Sequence, residues 1–541
     1  MSKRSGQRFG VGGWGLGVGL VAAALAGCAH TAQGDYSSQL ANKPRAYVGG
    51  TLTGAVVMST MHRRDFVYAI DVDGSGRRAA FTHLAPRVFR LDLRGGTDLT
   101  KLPDPPPQLA DAEICSNEFD PEGLAFSPDG TMVAVAARDA AVRIFDLKGN
   151  LLRQTFLEEP LASLAWSPDG KYLVAGSEHG LLTVLNAADL SFGFDLRAHQ
   201  DAARELAFAD DGTLWSGGWD KIVRSFKIAV EQRQITEVRL HADRKSGLTS
   251  IHGIVNNKAP VSLTLDERNA LVTLSPEAAV KSGIDPAFLK DRVEQLTPGG
   301  TVELPVAKDQ TLTFKNFVIP HVDVAICETC QPQGVDGVLG KAFAERFATS
   351  LDEANKEVII RLKDPAAGPN LAVPALQPGA RWALDGFVND LTVSRDGTRL
   401  GVAMNETKAE RTLALYKREK AGEDEPVAPG NVSAIVDATT GKILEKHNLH
   451  HGIVSTAAIS PDGKSLASGG WDKKLFLFTG SDTPLATFNY GWSVRKVRFS
   501  PDGRLLAVAA WTPQNARNAD SDPAAQLIQL IYGDAKVFEV H

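Results

Sequence analysis

The chain of 541 residues contains only four cysteines, and it has no excess of positive charge. Four cysteines are too few to staple a fold of this length, so disulfides are not expected to organise it. The 58 Lys and Arg residues are outnumbered by 64 Asp and Glu residues, which gives a net charge of -6. A basic surface for nucleic acid is therefore not expected. The chain also lacks any motif typical of a cofactor site, and we expect no cofactor.

The N-terminus has the pattern of a targeting segment. Lys3, Arg4 and Arg8 form a short basic region, an apolar and Gly-rich stretch follows, and the string "LAGC" ends at Cys28. This resembles a bacterial lipobox, in which the chain is cut before the cysteine and the cysteine is lipidated. The alternatives are a plain signal peptide or a short membrane helix, but the apolar stretch is short for a span of about 20 residues. We expect a signal peptide over 1–27 and a linker over 28–45.

A lipidated Cys28 predicts a protein of the bacterial cell envelope that reaches the membrane through an N-terminal lipid anchor. The cysteine is followed by Ala29 and not by Asp. By resemblance to enterobacterial sorting, the absence of Asp favours the outer membrane, with the protein facing the periplasm.

A short string recurs along the rest of the chain at a regular spacing. The sequence "SPDG" begins at Ser127, Ser167, Ser460 and Ser500, with looser copies at Ala209 and Ser394. Neighbouring copies are mostly about 40 residues apart, which is the period of a propeller blade. Each copy lies between short apolar runs typical of strands, and Pro and Asp-Gly favour a tight turn between them. The sequence therefore predicts a mainly β protein built from small twisted sheets that bury their faces against each other.

Two of these repeats share the string "SGGWDK", and their side chains resemble those of WD40 propellers. In that family a His, a Ser and an Asp of one blade form a buried hydrogen-bonded chain that ends on a Trp. The matching positions here are His199, Ser216 and Asp220 in one repeat and His451, Ser468 and Asp472 in the other. The Trp position is occupied by Phe226 and Phe478. A His, Ser and Asp set could also be catalytic, but its recurrence in two blades favours a structural role.

Counting the repeats predicts seven WD40-like blades, with blades 1–4 in 46–230 and blades 5–7 in 376–541. A strand near Tyr47 is expected to close the ring against the last blade, and 417–431 is expected to form an extended surface hairpin. The copies at Ala209 and Ser394 are too far apart for one period, which predicts an inserted domain over 232–375.

The insert resembles the retropepsin-like aspartic protease fold, a small β-barrel. "GIVNNKAPVSLTLD" resembles the hairpin and strand that lead to the catalytic aspartate, and "LVTLSPEAAVKSGID" resembles the strand and helix that follow it. "GVDGVLGKAFAERF" resembles the strand and helix beneath the active site, and "EVIIRL" resembles the final strand. The resemblance implies that the two apolar residues and the glycine at Val338 to Gly340 lie beneath the active site.

The resemblance places Asp266 at the catalytic position, but the residues after it depart from the family's Asp-Thr-Gly-Ala-Ser. Glu267 replaces the Thr and Arg268 replaces the Gly. The chemistry needs two aspartates that share one proton, so a single copy would have to act as a homodimer. A guanidinium beside Asp266 favours its ionised form instead. The sequence thus favours an inactive site, while Asp266 could also be an exposed turn residue without a role.

Two further groups in the sequence could carry chemistry. Cys327 and Cys330 form a CxxC pair that could be a small disulfide, pair with a partner or be a redox-active site, and a structural or incidental role is favoured. His447, His450 and His451 lie close together, but no acidic or thiol partner lies at ligand spacing, so we expect no metal site.

Taken together, these patterns favour a lipid-anchored platform that binds a protein or peptide partner. The first alternative is an aspartic endopeptidase that is active as a homodimer through Asp266. The second is a propeller that binds a carbohydrate or a cell-wall fragment at its central mouth. Dimerisation is expected only in the protease case.

Overall fold

The computed structural model describes most of the chain from residue 67 onward. The described residues are 67–74, 78–83, 87–92, 111–116, 121–245, 248–258, 260–297, 300–353, 356–406, 430–489, 493–503, 505–510 and 528–532. The predicted signal peptide with Cys28, the strand near Tyr47 and nearly all of the predicted hairpin over 417–431 lie outside these residues. No helix among the residues described is both long and apolar enough to span a membrane.

In the described part of the chain, seven small antiparallel sheets follow one another, which confirms a mainly β protein. Their strands are Val67–Val72, Arg78–His83, Arg87–Asp92 and Asp111–Ser116 in sheet 1; Pro121–Phe126, Met132–Ala137, Ala141–Asp146 and Leu151–Phe156 in sheet 2; Leu161–Trp166, Tyr172–Ser177, Leu181–Asn186 and Phe192–Arg197 in sheet 3; Ala203–Phe208, Leu214–Gly218, Ile222–Gln234 and Asn370–Ala383 in sheet 4; Phe387–Val393, Arg399–Asn405, Val432–Asp437 and Ile443–His447 in sheet 5; Val454–Ile459, Ser465–Gly470, Lys474–Thr479 and Ala486–Asn489 in sheet 6; and Val494–Phe499, Leu505–Ala510 and Ile528–Tyr532 in sheet 7.

The first strands of these sheets contact each other in a circular order. The first strand of each sheet contacts the first strand of the next sheet, and that of sheet 7 contacts that of sheet 1. Apolar side chains of neighbouring sheets pack between them, as Ile144 of sheet 2 and Leu164 and Leu173 of sheet 3 do. Each large side chain buried in this way contributes about 1.5–3 kcal/mol. The arrangement is consistent with a propeller.

The repeated SPDG string forms the same turn wherever it occurs, between the first two strands of a sheet. In the copy at Ser127, the serine hydroxyl donates to Asp129 at 2.6 Å and accepts from the Met132 N–H at 2.9 Å. Gly130 has φ +67°, in the left-handed region that glycine adopts at least cost. The string recurs because its serine hydroxyl and its aspartate carboxylate make the hydrogen bonds of the turn, and its glycine adopts the left-handed backbone conformation that the turn requires.

The insert lies between the third and fourth strands of sheet 4. Ile222–Gln234 and Asn370–Ala383 pair along their whole length, and Gln234 lies opposite Asn370 at the far end. The prediction that 46–230 completes four blades is therefore wrong, because the fourth strand of sheet 4 comes after the insert. The repeat spacing did not predict this strand. One long strand carries the chain from sheet 4 into the insert, and the other returns it to sheet 4 only after the insert.

The described residues of the insert form two sheets and two short α-helices. Insert sheet A consists of Asp243–Lys245, Leu248–Val255, Pro260–Leu265, Val272–Leu274, Asp291–Thr297, Gly300–Phe314, Phe317–Ile326 and Gly337–Leu339. Insert sheet B consists of Glu237–His241, Phe347–Asp352 and Glu357–Leu362. The α-helices are Pro276–Lys281 and Lys341–Arg346, and the 3-10 helices are Pro286–Phe288 and Pro365–Ala367.

Both α-helices occur where the sequence indicated helical segments. Ser275 caps the first helix, since its side chain accepts a hydrogen bond from the Ala278 N–H. The second helix ends at Arg346, and the apolar residues after it enter insert sheet B. The pattern of the second segment therefore predicted the helix but not the strand that follows it.

Candidate functional site

Asp266 lies at the end of the strand Pro260–Leu265, as the sequence indicated. This strand pairs in parallel with Gly337–Leu339, and the Asp266 N–H donates to the Leu339 carbonyl at 3.1 Å. The "GVLG" string therefore lies directly beside the aspartate. The side chain of Asp266 is 18% exposed, whereas Glu267 points to solvent.

Arg268 binds the carboxylate of Asp266 from within the same loop. Its Nε lies 2.8 and 3.0 Å from the two carboxylate oxygens of Asp266, and its Nη2 lies 2.6 Å from Oδ2. The Arg268 N–H also donates to Oδ1 at 3.1 Å. The hydrogen bonds from the Arg268 side chain are the main reason why the pKa of Asp266 lies below its usual value. Asp266 is therefore held as an ionised, paired carboxylate.

Gln295, which sequence reasoning missed, holds the same loop from the neighbouring strand Asp291–Thr297. Its side-chain oxygen accepts from the Ala270 N–H at 2.9 Å, and its side-chain NH₂ donates to the Arg268 carbonyl at 3.1 Å. The residue is buried, so these hydrogen bonds are shielded from water. Nothing in the sequence distinguishes Gln295 from other polar strand residues.

The first predicted blade network is present in sheet 4. His199 lies between its two partners, with Nδ1 2.9 Å from Asp220 and Nε2 2.9 Å from Ser216. His199 and Ser216 are buried. Burial alone would raise the pKa of Asp220, but the contact with His199 and the main-chain hydrogen bonds from Gln200 and Ile222 together lower it. Because the network is closed inside one sheet, it stabilises the fold and offers no free nucleophile.

The second network uses His450, so the prediction that His451 belongs to it is wrong. His450 Nδ1 lies 2.9 Å from Asp472, and its Nε2 lies 3.0 Å from Ser468. His451 contributes its main-chain N–H to Asp472 at 3.1 Å.

The cause of this error is the length of one turn. In sheet 4 the first hairpin runs from Phe208 to its partner Leu214, whereas in sheet 6 it runs from Ile459 to Leu466, one residue longer. The histidine therefore lies one residue further from the serine in sheet 6. Aligning the two SPDG-type turns residue by residue would have shown this.

The glycines of "SGGWDK" explain why the string recurs with each network. A Cβ on Gly218 would lie 2.4 Å from Nδ1 of His199, and a Cβ on Gly470 would lie 2.6 Å from Nδ1 of His450. Both distances are too short for any side chain, so the histidine ring requires glycine at this position.

Three stretches of the chain match the model of a known protein family. The family of the WD domain, G-beta repeat, matches 120–146, 153–184 and 441–479. These stretches cover parts of sheets 2, 3, 5 and 6, including the network of His450. The His199 network lies outside the matched stretches.

Several curated proteins are also similar to the chain. The WD repeat-containing protein SL1-17 of Schistosoma mansoni is 27% identical over 165 residues, which are 30% of this chain and 50% of that protein. WD repeat-containing protein 1-B of Xenopus laevis is 26% identical over 174 residues, 31% of this chain and 26% of that protein. Eukaryotic translation initiation factor 3 subunit I of Bombyx mori is 27% identical over 158 residues, 26% of this chain and 44% of that protein. The chain thus spans half or less of the length of these relatives.

The chain carries WD40 repeats. The circular order of the sheets is consistent with these repeats, and the His450 network lies within one of the matched stretches. The insert lies outside all three matched stretches.

A buried ion cluster, which sequence reasoning also missed, lies among the first strands of the WD40 repeat region. Asp390 is fully buried, and both Arg498 and Lys496 donate to it at 2.9 to 3.0 Å. Both cations also bind Glu205 of sheet 4. Although burial alone would raise it, the pKa of Asp390 lies far below its usual value because of these two cations. The cluster joins sheets 4, 5 and 7.

Cys327 and Cys330 form a disulfide in the insert. Cys327 is buried and packs with Leu304 and Val306, and Cys330 packs against the same group. The Cys327 N–H donates to the Leu274 carbonyl at 2.9 Å. The bridge therefore fixes the loop that follows the strand Phe317–Ile326.

A metal site is a further possibility that can be checked by geometry. Within the ranges that the structure describes, no three His, Cys, Asp or Glu side chains are grouped so that they could hold a metal ion.

Proposed function

We propose that this chain is a lipid-anchored envelope protein whose WD40 repeats present a binding surface to a protein or peptide partner. Sheets 1 to 7 are then the blades of one seven-bladed WD40-like propeller, with the first strand of sheet 7 beside that of sheet 1. The anchor is Cys28, and the protein faces the periplasm from the bacterial outer membrane. WD40 repeats generally mediate protein–protein interactions, which supports a platform as the function of the repeat region.

The insert is a retropepsin-like domain in this proposal. Its support is the order of strands around Asp266, where Pro260–Leu265 pairs in parallel with Gly337–Leu339 and Val272–Leu274 pairs in parallel with Phe317–Ile326. The helix Lys341–Arg346 follows the strand beside the aspartate directly.

One observation supports a binding role for the insert over a catalytic one. Arg268 occupies both carboxylate oxygens of Asp266. An aspartic protease needs a pair of carboxylates that share a proton, one of which must be protonated. A carboxylate whose pKa is lowered by an ion pair holds such a proton poorly, so the site favours binding without cleavage.

Capture of a partner tests the platform and separates it from the endopeptidase alternative. The full chain is cross-linked in its native membranes beside Asp266→Asn, and the recovered proteins are examined for size. The proposal expects the same protein, uncut, with both chains. A partner that is cut by the wild type and intact with Asp266→Asn would make the chain an endopeptidase, and recovery of no protein would contradict the platform.

The anchor is tested by Cys28→Ser. The variant should move from the membrane to the soluble fraction, because the thiol that carries the lipid is lost. The control is Cys115→Ser, which should stay with the membrane. An unchanged distribution and mass of the Cys28→Ser chain would contradict the anchor.

A further inference from the structure

A cavity of about 640 Å³ lies where the insert meets sheets 2 and 3. The last strand of sheet 2, the last two strands of sheet 3, the insert and its return strand Asn370–Ala383 all contribute to the walls. Val318 and Leu371 line the cavity and are exposed, so it opens to solvent. Cavities of this size hold small molecules, and they occur preferentially where two domains meet.

The ammonium in the walls of this cavity is already fully used. Among the described residues that line the cavity, Lys315 is the only lysine or arginine. It binds the carboxylates of Glu158 and Asp195, and it donates to the Arg239 carbonyl at 2.5 Å. These three contacts occupy all three donors of an ammonium. No cationic donor is left for the carboxylate or phosphate of a ligand, so the walls do not fit an anion.

The carboxylates in the walls do not fit a cationic ligand either. Glu158 and Asp195 both hold the ammonium of Lys315, so a second cation at either carboxylate would lie close to that ammonium and be repelled. Asp189 is exposed, so water weakens its attraction for a cation, and it already accepts a hydrogen bond from the Ser191 N–H at 2.8 Å. The walls therefore favour a neutral ligand over either kind of ion.

Several polar groups of the walls have no hydrogen-bond partner in the protein. Thr183 is only 3% exposed, and its hydroxyl makes no hydrogen bond to any residue that the structure describes. The hydroxyls of Thr155 and Thr313 likewise have no partner among these residues. The second carboxylate oxygen of Glu158, Oε1, is buried and has no partner there either. A buried polar group without a partner is costly, and a ligand in the cavity can supply the missing hydrogen bonds.

The remaining wall groups combine uncharged hydrogen bonding with aromatic surface. Gln154 and Asn316 add side-chain amides to the threonine hydroxyls, and all of these groups both donate and accept. Phe156 and Phe192 also line the cavity. A saccharide carries hydroxyls at the edges of its rings and C–H groups on their faces, so it can use both kinds of wall at once. The lining therefore fits a hydroxylated, uncharged molecule.

We propose that this cavity binds a short neutral saccharide and that the Thr183 hydroxyl hydrogen-bonds to it. The site lies between the insert and the last strands of sheets 2 and 3, and not among the first strands of the sheets, where a central mouth would lie. Both the insert and the repeats are needed to form it. The proposal goes beyond the proposed function, because it requires neither the lipid anchor nor a protein partner.

Titration calorimetry of the full chain in mild detergent tests the ligand class. The neutral probes are N,N′-diacetylchitobiose, cellobiose and maltose. The charged probes are chitobiose, which is the cationic deacetylated form of the first, and the anion glucuronate. At least one neutral disaccharide should bind, and each charged probe should bind at least about tenfold more weakly than the best neutral one. Binding of no neutral disaccharide, or tighter binding of a charged probe, would overturn the proposal.

Two substitutions test whether the saccharide binds in this cavity. Thr183→Val should weaken binding of the best neutral disaccharide about tenfold, and it should not lower the stability of the free protein, because the hydroxyl has no protein partner to lose. Ala372→Trp places a large side chain at an exposed position of the cavity wall and should abolish binding. Thr213→Val is the matched control, since Thr213 lies in the first turn of sheet 4, outside the cavity. Unchanged affinity in either cavity variant would overturn the proposal.

Discussion

The ammonium of Lys315 lies 3.0 Å from the carboxylate of Glu158, and this contact joins the insert to the WD40 repeat region. Lys315 lies in the turn between the strands Gly300–Phe314 and Phe317–Ile326, while Glu158 lies between sheets 2 and 3. The same ammonium lies 2.5 Å from Asp195 of sheet 3. One lysine of the insert thus binds two carboxylates of the repeats.

This contact predicts a dependence of stability on pH. Burial raises the pKa of Glu158 to about 7, although Lys315 acts in the opposite direction. The folded protein therefore holds this proton more tightly than the unfolded chain does. The resulting stability, on the order of 3 kcal/mol, is present below about pH 4.5 and is lost as the pH rises through about 7.

Glu158→Gln should remove that dependence, because the amide oxygen still accepts from Lys315 and does not titrate. The unfolding midpoint of this variant, relative to wild type, should rise between about pH 5 and about pH 8. Glu303→Gln is the control, since Glu303 is exposed on a strand of the insert. If the difference from wild type stays level for both variants, Glu158 does not titrate as described.

The second histidine network predicts different losses of stability for substitutions at the adjacent residues His450 and His451. His450→Ala should lower the free energy of unfolding by about 2–4 kcal/mol, because it leaves Ser468 and Asp472 buried without the ring between them. His451→Ala keeps the main-chain hydrogen bond to Asp472 and should lower the free energy of unfolding by less than His450→Ala does. The free energy of unfolding of each variant is measured by urea unfolding. A larger loss for His451→Ala would contradict the position of the His450 ring between Ser468 and Asp472.

The position of the insert predicts where it can be removed. Because Gln234 and Asn370 lie opposite each other, replacing 235–369 by a short Gly/Ser turn leaves the long strand pair of sheet 4 intact. We expect a β-rich protein that unfolds cooperatively, measured by circular dichroism with increasing urea. A shorter variant that removes 222–383 is the control, and it should fail to fold because sheet 4 loses two strands. Loss of cooperative unfolding in the first variant would contradict a separate insert.

The sequence predicted those features that rest on a repeated local pattern. The SPDG turns, the His199 network and both helices of the insert follow from short strings whose side chains contact their own neighbours. Features that join distant parts of the chain left no such signal. Asp390 and Arg498 lie far apart in the sequence, and Glu158 looks like any other acidic residue in a connection between strands.

The errors have the same origin. His451 matches only if the two repeats have equal spacing, and the first hairpin of sheet 6 is one residue longer than that of sheet 4. The fourth strand of sheet 4 was missed because the period of the repeat says nothing about a strand on the other side of an insert. For Asp266 the local sequence was enough to predict its partner, because Arg268, two residues later, already indicated an ion pair.

The proposed binding role of the insert depends most on whether Asp266 is an inactive carboxylate that is held by Arg268. A peptide library is digested with the purified full chain from about pH 3 to about pH 7, beside the Asp266→Asn variant and a buffer control. Because Arg268 binds both carboxylate oxygens of Asp266 and lowers its pKa, the wild type should produce no more cleavage than Asp266→Asn at any pH tested. Cleavage by the wild type that disappears in Asp266→Asn would contradict the account and make the chain an aspartic endopeptidase.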